Sequence, residues 1–167
     1  MNKKIIATSA IAVLIATGAI GVYFWQSLAR EENRAENRQT EDRQAEEAAA
    51  KETVVGFGRA LKNVSLLSPA AGEDIETNYR DFLDPALLAQ WKADPSKALG
   101  RTTSSPWPES IEIGSISRFG SGAYDVNGKI IDMTNAGMAG SRAVQIGVVK
   151  FGDRWLITGA SAIAPEE

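Results

Sequence analysis

Apolar residues recur with a helical period in the middle of the chain. They lie three and four positions apart at Val54, Phe57, Leu61 and Val64. This spacing predicts a helix with one apolar face. Gly56 and Gly58 fall inside the same helix, where each costs roughly 1 kcal/mol relative to alanine. The helix is therefore weakened there unless another element packs closely against the two glycines.

Two further helices follow, and proline pairs mark their ends. Ser68-Pro69 fits either an N-cap with proline in the first turn or a plain turn. The next apolar face comprises Ile75, Tyr79, Phe82 and Leu83. Asp84-Pro85 is a stronger start signal, and it precedes a third helix that carries Leu87, Leu88 and Trp91. This helix must end before Asp94-Pro95, because a residue that precedes proline avoids the helical region.

Beyond a loop from Ser96 to Pro108, the apolar period changes to two. Ile111 and Ile113 alternate until Gly114 breaks the phase, which predicts a β-bulge. Two more alternating runs cover 124–130 and 144–148, and a last strand begins at Trp155. Turns are predicted at 120–122 and at Gly152-Asp153, with a loose loop over 135–141. The pattern thus predicts four strands connected in chain order.

The order of these elements predicts an α+β domain over 53–167. Helices and strands occupy separate parts of the sequence, which excludes the βαβ repeats of a parallel sheet. The simplest packing lays three helices on one face of a curved, four-stranded antiparallel sheet.

The N-terminus carries a charge-free apolar run from Ile5 to Trp25. As a helix it would extend roughly 30 Å, the thickness of a hydrocarbon core. It ends in Tyr23-Phe24-Trp25, aromatic residues typical of the membrane interface. We predict a signal-anchor helix over 5–26, a cytoplasmic tail over 1–4, and a single-pass protein of the cell membrane whose C-terminal domain is extracytoplasmic.

The alternative is a cleavable signal peptide that yields a secreted protein. Its apolar core would be Ile5 to Ile15, with Ala16-Thr17-Gly18 as the small-residue cleavage site. The apolar run continues to Trp25, however, so that cleavage would leave an apolar N-terminus.

Residues 27–52 follow as a charged segment rich in helix formers, and we interpret them as a solvated helical stalk. They lack the apolar seam of a coiled coil.

Composition excludes several classes of function. The chain has no cysteine and no histidine, so disulfides, thiol nucleophiles, Ser-His-Asp triads and His-ligated metals are ruled out. A net charge of -3 argues against nucleic-acid binding. Asp84 and Asp94 are explained by their prolines, and Asp125 and Asp132 are too far apart to cooperate. We therefore expect no catalytic residues, no metal and no cofactor.

The layout resembles the nuclear transport factor 2-like (cystatin-like) superfamily, in which helices pack into the concavity of a bent antiparallel sheet. The best local match is the final hairpin, Lys150-Phe151-Gly152-Asp153-Arg154-Trp155-Leu156-Ile157. With the anchor, the architecture is similar to the bitopic assembly subunit of type IV secretion and conjugation systems. That subunit scaffolds other components, although its cytoplasmic tail is longer than Met1 to Lys4.

The resemblance implies a pocket between helices and sheet. We expect Tyr79 and Tyr124 to line such a cavity, with Asp132 and Arg142 as further candidates for ligand contact. For all four, the alternative is ordinary core packing or a solvated strand position.

Three functions remain open at this point. The first is an interaction or assembly module of a bacterial envelope complex, which would bind other envelope proteins or a second copy through an exposed apolar patch or sheet edge. The second is a ligand-binding or sensor domain of the cell envelope, whose cavity takes a small molecule. The third is a carboxylate-based enzyme of the same fold, which the composition disfavours.

Overall fold

The computed structural model describes Arg34 and residues 36–163. The chain divides into two compact units, Met1–Gln44 and Ala45–Glu167. In the first unit, residues 36–44 are helical and exposed. The predicted anchor helix over 5–26 and the tail over 1–4 lie outside the described residues. Within the part that is described, no helix is both long enough and apolar enough to cross a bilayer.

The second unit is an α+β domain, as the sequence predicted. Helix α1 (45–60) leads through a 3₁₀ turn, Leu61–Asn63, to α2 (Ala71–Tyr79) and α3 (Pro85–Ala93). The strands are β1 (Trp107–Arg118), β2 (Ala123–Thr134), β3 (Gly137–Phe151) and β4 (Arg154–Ala162). They form one curved antiparallel sheet in the order β1-β2-β3-β4.

Several predicted boundaries are confirmed. The Asp84 side chain accepts the Leu87 N–H at 2.7 Å and caps α3, with Pro85 in the first turn. The helix ends at Ala93, before Asp94-Pro95. The Ser68-Pro69 pair forms a turn, because the Ser68 hydroxyl accepts the Ala70 N–H and α2 begins only at Ala71.

The sheet follows the predicted alternation with one correction. A register shift between Ile113 and Ser115 confirms the bulge at Gly114. The predicted loose loop over 135–141 is wrong, because β2 and β3 pair as far as Thr134 and Gly137. A tight turn is possible there since Gly137 adopts a φ of +124° and the Thr134 hydroxyl donates to its carbonyl at 3.0 Å.

The domain core begins earlier than the pattern indicated. The compact unit starts at Ala45, and Ala50 is fully buried, whereas the apolar period predicted a start at 53. Alanine carries too little apolar surface to stand out from the polar stalk composition. Helix α1 therefore contributes an extra turn to the core.

The two glycines of α1 mark close contacts, as expected. A Cβ on Gly58 would lie 2.6 Å from the backbone nitrogen of Ile111 in β1. A Cβ on Gly56 would lie 2.6 Å from the ring of Phe82. Glycine at both sites lets α1 lie directly on the sheet and on the segment that follows α2.

Candidate functional site

Tyr79, predicted to line a ligand cavity, lies in the core of the domain. Its side chain is 0% exposed, and its hydroxyl donates to the Leu99 carbonyl at 2.7 Å. Burial raises the pKa of Tyr79 far above its ordinary value near 10. The hydroxyl is thus satisfied by the backbone.

An aromatic cluster joins the three helices. The ring of Phe57 lies 5.0 Å from that of Tyr79 and 6.1 Å from that of Trp91, measured between centroids. Tyr79 and Trp91 are also 6.1 Å apart. Such separations are typical of packed aromatic pairs. All three rings are buried, so Tyr79 packs as a core residue between Phe57 and Trp91.

Tyr124, another predicted cavity residue, is also buried. Its ring packs against Trp155 of β4, with centroids 5.3 Å apart. Because Asp132 lies eight positions along the same strand, the two side chains are separated by roughly 26 Å. They belong to opposite ends of the sheet.

Asp132 and Arg142 are the two predicted site residues that the structure brings together. The guanidinium of Arg142 donates to both carboxylate oxygens of Asp132, at 2.8 and 3.0 Å. Asp132 is buried, whereas the side chain of Arg142 is 41% exposed. The bidentate pair compensates the buried carboxylate and connects β2 to β3.

An open groove of about 550 Å³ lies between α1 and the β3–β4 turn. Phe82 and Gly56 contribute to its wall. Its charged lining comprises Glu52, Arg59, Asp81, Asp153 and Arg154. Arg154 donates to the Asp81 carbonyl at 2.8 Å. Mixed charge at an open surface suits polar contacts with a macromolecule better than enclosure of an apolar ligand.

Among the described residues, no group of three or more acidic side chains is placed to hold a metal ion.

The outer face of the sheet, opposite the helices, has an apolar end. Ala123 of β2 pairs with Val149 of β3, which pairs with Leu156 of β4, so these side chains form one row. Phe151 follows Val149 by two positions and lies on the same face. Phe119, the residue after β1, lies opposite Ala123 of this row, because its N–H donates to the Ala123 carbonyl at 2.8 Å beside the Arg118–Tyr124 pair. We call these five residues the hairpin-end patch: Phe119, Ala123, Val149, Phe151 and Leu156.

Two exposed aromatic side chains distinguish this patch from the middle of the outer face. Phe119 is 72% exposed and Phe151 is 48% exposed. The middle of the same face carries polar side chains such as Asn127, Lys129 and Gln145. Phe119 directly follows β1 and Phe151 ends β3, so two strand spacings, roughly 10 Å, separate them across the sheet.

The sequence contains a signal for this patch that hydrophobic alternation alone does not reveal. Phe119 and Phe151 each precede a turn glycine, and each follows a basic residue, as Arg118-Phe119-Gly120 and Lys150-Phe151-Gly152. Neighbouring side chains of a strand point to opposite faces, so Lys150 on the helix side places Phe151 on the outer face.

The chain matches no protein-family model, no curated protein and no solved structure.

Proposed function

We propose that this chain is a membrane-anchored, non-enzymatic interaction module of a bacterial envelope complex, and that it binds its partner protein through the hairpin-end patch. The apolar run from Ile5 to Trp25 supplies the anchor. The observation that carries the proposal is the exposure of Phe119 and Phe151 on one face, next to a buried Leu156. Exposed apolar clusters of this kind typically mark sites of protein contact.

The packing of the domain supports an interaction module over a ligand-binding cavity. Phe57, Tyr79 and Trp91 fill the interior. Asp132, the buried carboxylate that an enzyme of this fold would need, is held by Arg142. These contacts favour the surface as the place where the domain acts. The architectural likeness to type IV secretion assembly subunits makes a secretion or conjugation apparatus the first machine to test.

The test is crosslinking of the tagged full-length chain in intact cells, followed by purification in mild detergent and mass spectrometry. Wild type is compared with the double variant Phe119→Ser/Phe151→Ser. We expect the double variant to lose a defined set of envelope proteins by at least about tenfold, since each buried aromatic anchor contributes on the order of 1–2 kcal/mol to an interface.

The matched control is Met138→Ser. Met138 is 69% exposed, close to the value for Phe119, but it lies in β3 beside the β2–β3 turn at the other end of the sheet. Recovery of partners should be unchanged in this variant. Partners that survive the double substitution, or that are lost equally from the control, would refute the patch as the binding surface. Recovery of the chain alone as a crosslinked dimer would assign the patch to self-association.

A further inference from the structure

The two hairpin turns at the patch end of the sheet have the same construction. In each, a basic residue is followed by phenylalanine and then by glycine. Gly120 and Gly152 both adopt left-handed backbone conformations, with φ of +66° and +61°. The two turns are also connected directly, because the Lys150 N–H donates to the Gly122 carbonyl at 2.9 Å.

The basic residues of both turns converge on one carboxylate at the start of the domain. One oxygen of Glu46, the second residue of the compact unit, lies 3.0 Å from the Lys150 ammonium. Its other oxygen lies 3.4 Å from the Arg118 guanidinium. The Glu46 side chain is only 26% exposed, and Lys150 also lies over the Trp155 ring at 5.8 Å from its centroid. Glu46 therefore ties α1 to both hairpins.

From this juxtaposition we infer that Glu46 is a positioning residue for the hairpin-end patch. Arg118 and Lys150 point towards Glu46 on the helix side, and the adjacent Phe119 and Phe151 consequently point to the outer face. One carboxylate thereby holds two exposed rings in a fixed relation, which lowers the entropy that binding must remove. The effect of Glu46 on binding rests on the proposed function. The effect of Glu46 on the two hairpins does not depend on any partner.

The position of Glu46 in the chain gives the contact a second consequence. The domain begins at Ala45, one residue before Glu46, so the ion pairs lie at the point where the chain enters the domain. A rotation or displacement of the helical segment at Glu46 would act on both hairpins through a single side chain.

The experiment is hydrogen exchange on the full-length chain in detergent, comparing wild type with Glu46→Gln. The reporters are the amides of Phe119, which donates to the Ala123 carbonyl at 2.8 Å, and of Lys150. We expect both amides to exchange about fivefold faster in the variant, because two partly exposed ion pairs are lost. Recovery of crosslinked partners should fall by a similar factor.

Glu47→Gln is the matched control. Glu47 is adjacent in sequence and also forms an ion pair, but its partner is Lys51 one turn along α1 at 2.5 Å. This variant should leave the hairpin amides and partner recovery at wild-type values. A charge swap, Glu46→Lys with Arg118→Glu and Lys150→Glu, should restore slow exchange.

The outcomes separate the inference from the proposed function. If Glu46→Gln leaves hairpin exchange unchanged, or if Glu47→Gln accelerates it equally, the positioning role is refuted whatever binds the patch. If exchange accelerates while partner recovery stays constant, Glu46 positions the hairpins but the patch is not the binding surface, and the proposed function fails.

Discussion

The two sides of the sheet differ in how completely aromatic side chains are enclosed. On the helix side, Phe57 and Trp91 are almost completely buried in a cluster that also holds Tyr79. On the outer face, Phe119 and Phe151 have no such enclosure and remain exposed. The aromatic side chains on the helix side are thus part of the core that the fold needs. Those on the outer face leave apolar surface in contact with water. Folding explains the first set but not the second, which is why the outer face carries the functional proposal.

The largest expected effect is on the free energy of unfolding, and it is tested with one substitution on the helix side and one on the outer face. Phe57→Ala should destabilise the domain by about 3–5 kcal/mol, because it opens a cavity beside Tyr79 and Trp91. Phe119→Ala should change the free energy of unfolding by no more than about 0.5 kcal/mol. Urea denaturation followed by tryptophan fluorescence measures both. Comparable losses would mean that Phe119 belongs to the fold and would remove the distinction between the two faces.

A second prediction concerns the close approach of α1 to the sheet. Gly58→Ala should destabilise by about 2 kcal/mol, because the new methyl group meets the Ile111 backbone, which cannot move aside as a side chain can. This loss outweighs the gain in helix propensity of roughly 1 kcal/mol. Gly159→Ala in β4 is the control, since no atom beyond its chain neighbours lies within 4 Å of the place that the new methyl group would take. A Gly58→Ala protein at least as stable as wild type would contradict the packing described for α1.

The third prediction tests the burial of Tyr79 through the dependence of stability on alkaline pH. Burial raises the pKa of Tyr79, so the folded state keeps its phenolic proton at a pH where the unfolded chain loses it. The stability from this group is complete below the ordinary value near 10 and is lost as the pH rises beyond it. Tyr79→Phe should cost about 1 kcal/mol at pH 7, because the Leu99 carbonyl loses its donor.

Above pH 10 the difference in free energy of unfolding between wild type and Tyr79→Phe should shrink and then change sign. The reason is that the phenylalanine variant has no proton to lose at this site. Thermal unfolding of both proteins from pH 7 to pH 11 provides the measurement. Parallel stability curves across that range would show that Tyr79 reaches solvent, as a cavity residue would.

The smallest expected effect lies at the exposed margin of the helix side. The Lys62 ammonium, and then the Trp107 indole, hold the pKa of Glu109 below its ordinary value. The folded state therefore favours the carboxylate, and the stability it contributes is lost as the pH falls through the lowered pKa. The Lys62 and Glu109 side chains are both more than one-third exposed, so Glu109→Gln should cost less than about 0.5 kcal/mol at pH 7. The difference from wild type should vanish in 1 M salt, and a difference that persists there would indicate a packing role.

Local signals predicted much of the fold. Asp84-Pro85 and Asp94-Pro95 bound α3, because capping and proline sterics act within a few residues. The break at Gly114 predicted the bulge for the same reason. The loop over 135–141 was not predicted correctly, since glycines there looked like flexibility, whereas cross-strand pairing from Ser141 towards Gly137 makes them part of a hairpin.

The candidate site was harder to predict than the fold. Tyr79 and Tyr124 were chosen as aromatic residues with polar ends, but a hydroxyl can be satisfied inside a core, as that of Tyr79 is by Leu99. Asp132 and Arg142 were chosen individually, and their mutual contact depends on the register between β2 and β3. Phe119 and Phe151 were overlooked because alternation counts apolar residues without stating which face is covered.

By itself, the sequence determined the order of the helices and strands, the α+β class, and the absence of cysteine and histidine chemistry. These properties follow from local sterics, periodicity and composition. The tertiary structure alone decided which apolar residues are enclosed, which carboxylates find a cation, and how Glu46 meets both Arg118 and Lys150. Such contacts join residues that are as many as 104 positions apart in the chain, and no local pattern encodes a distance of that kind.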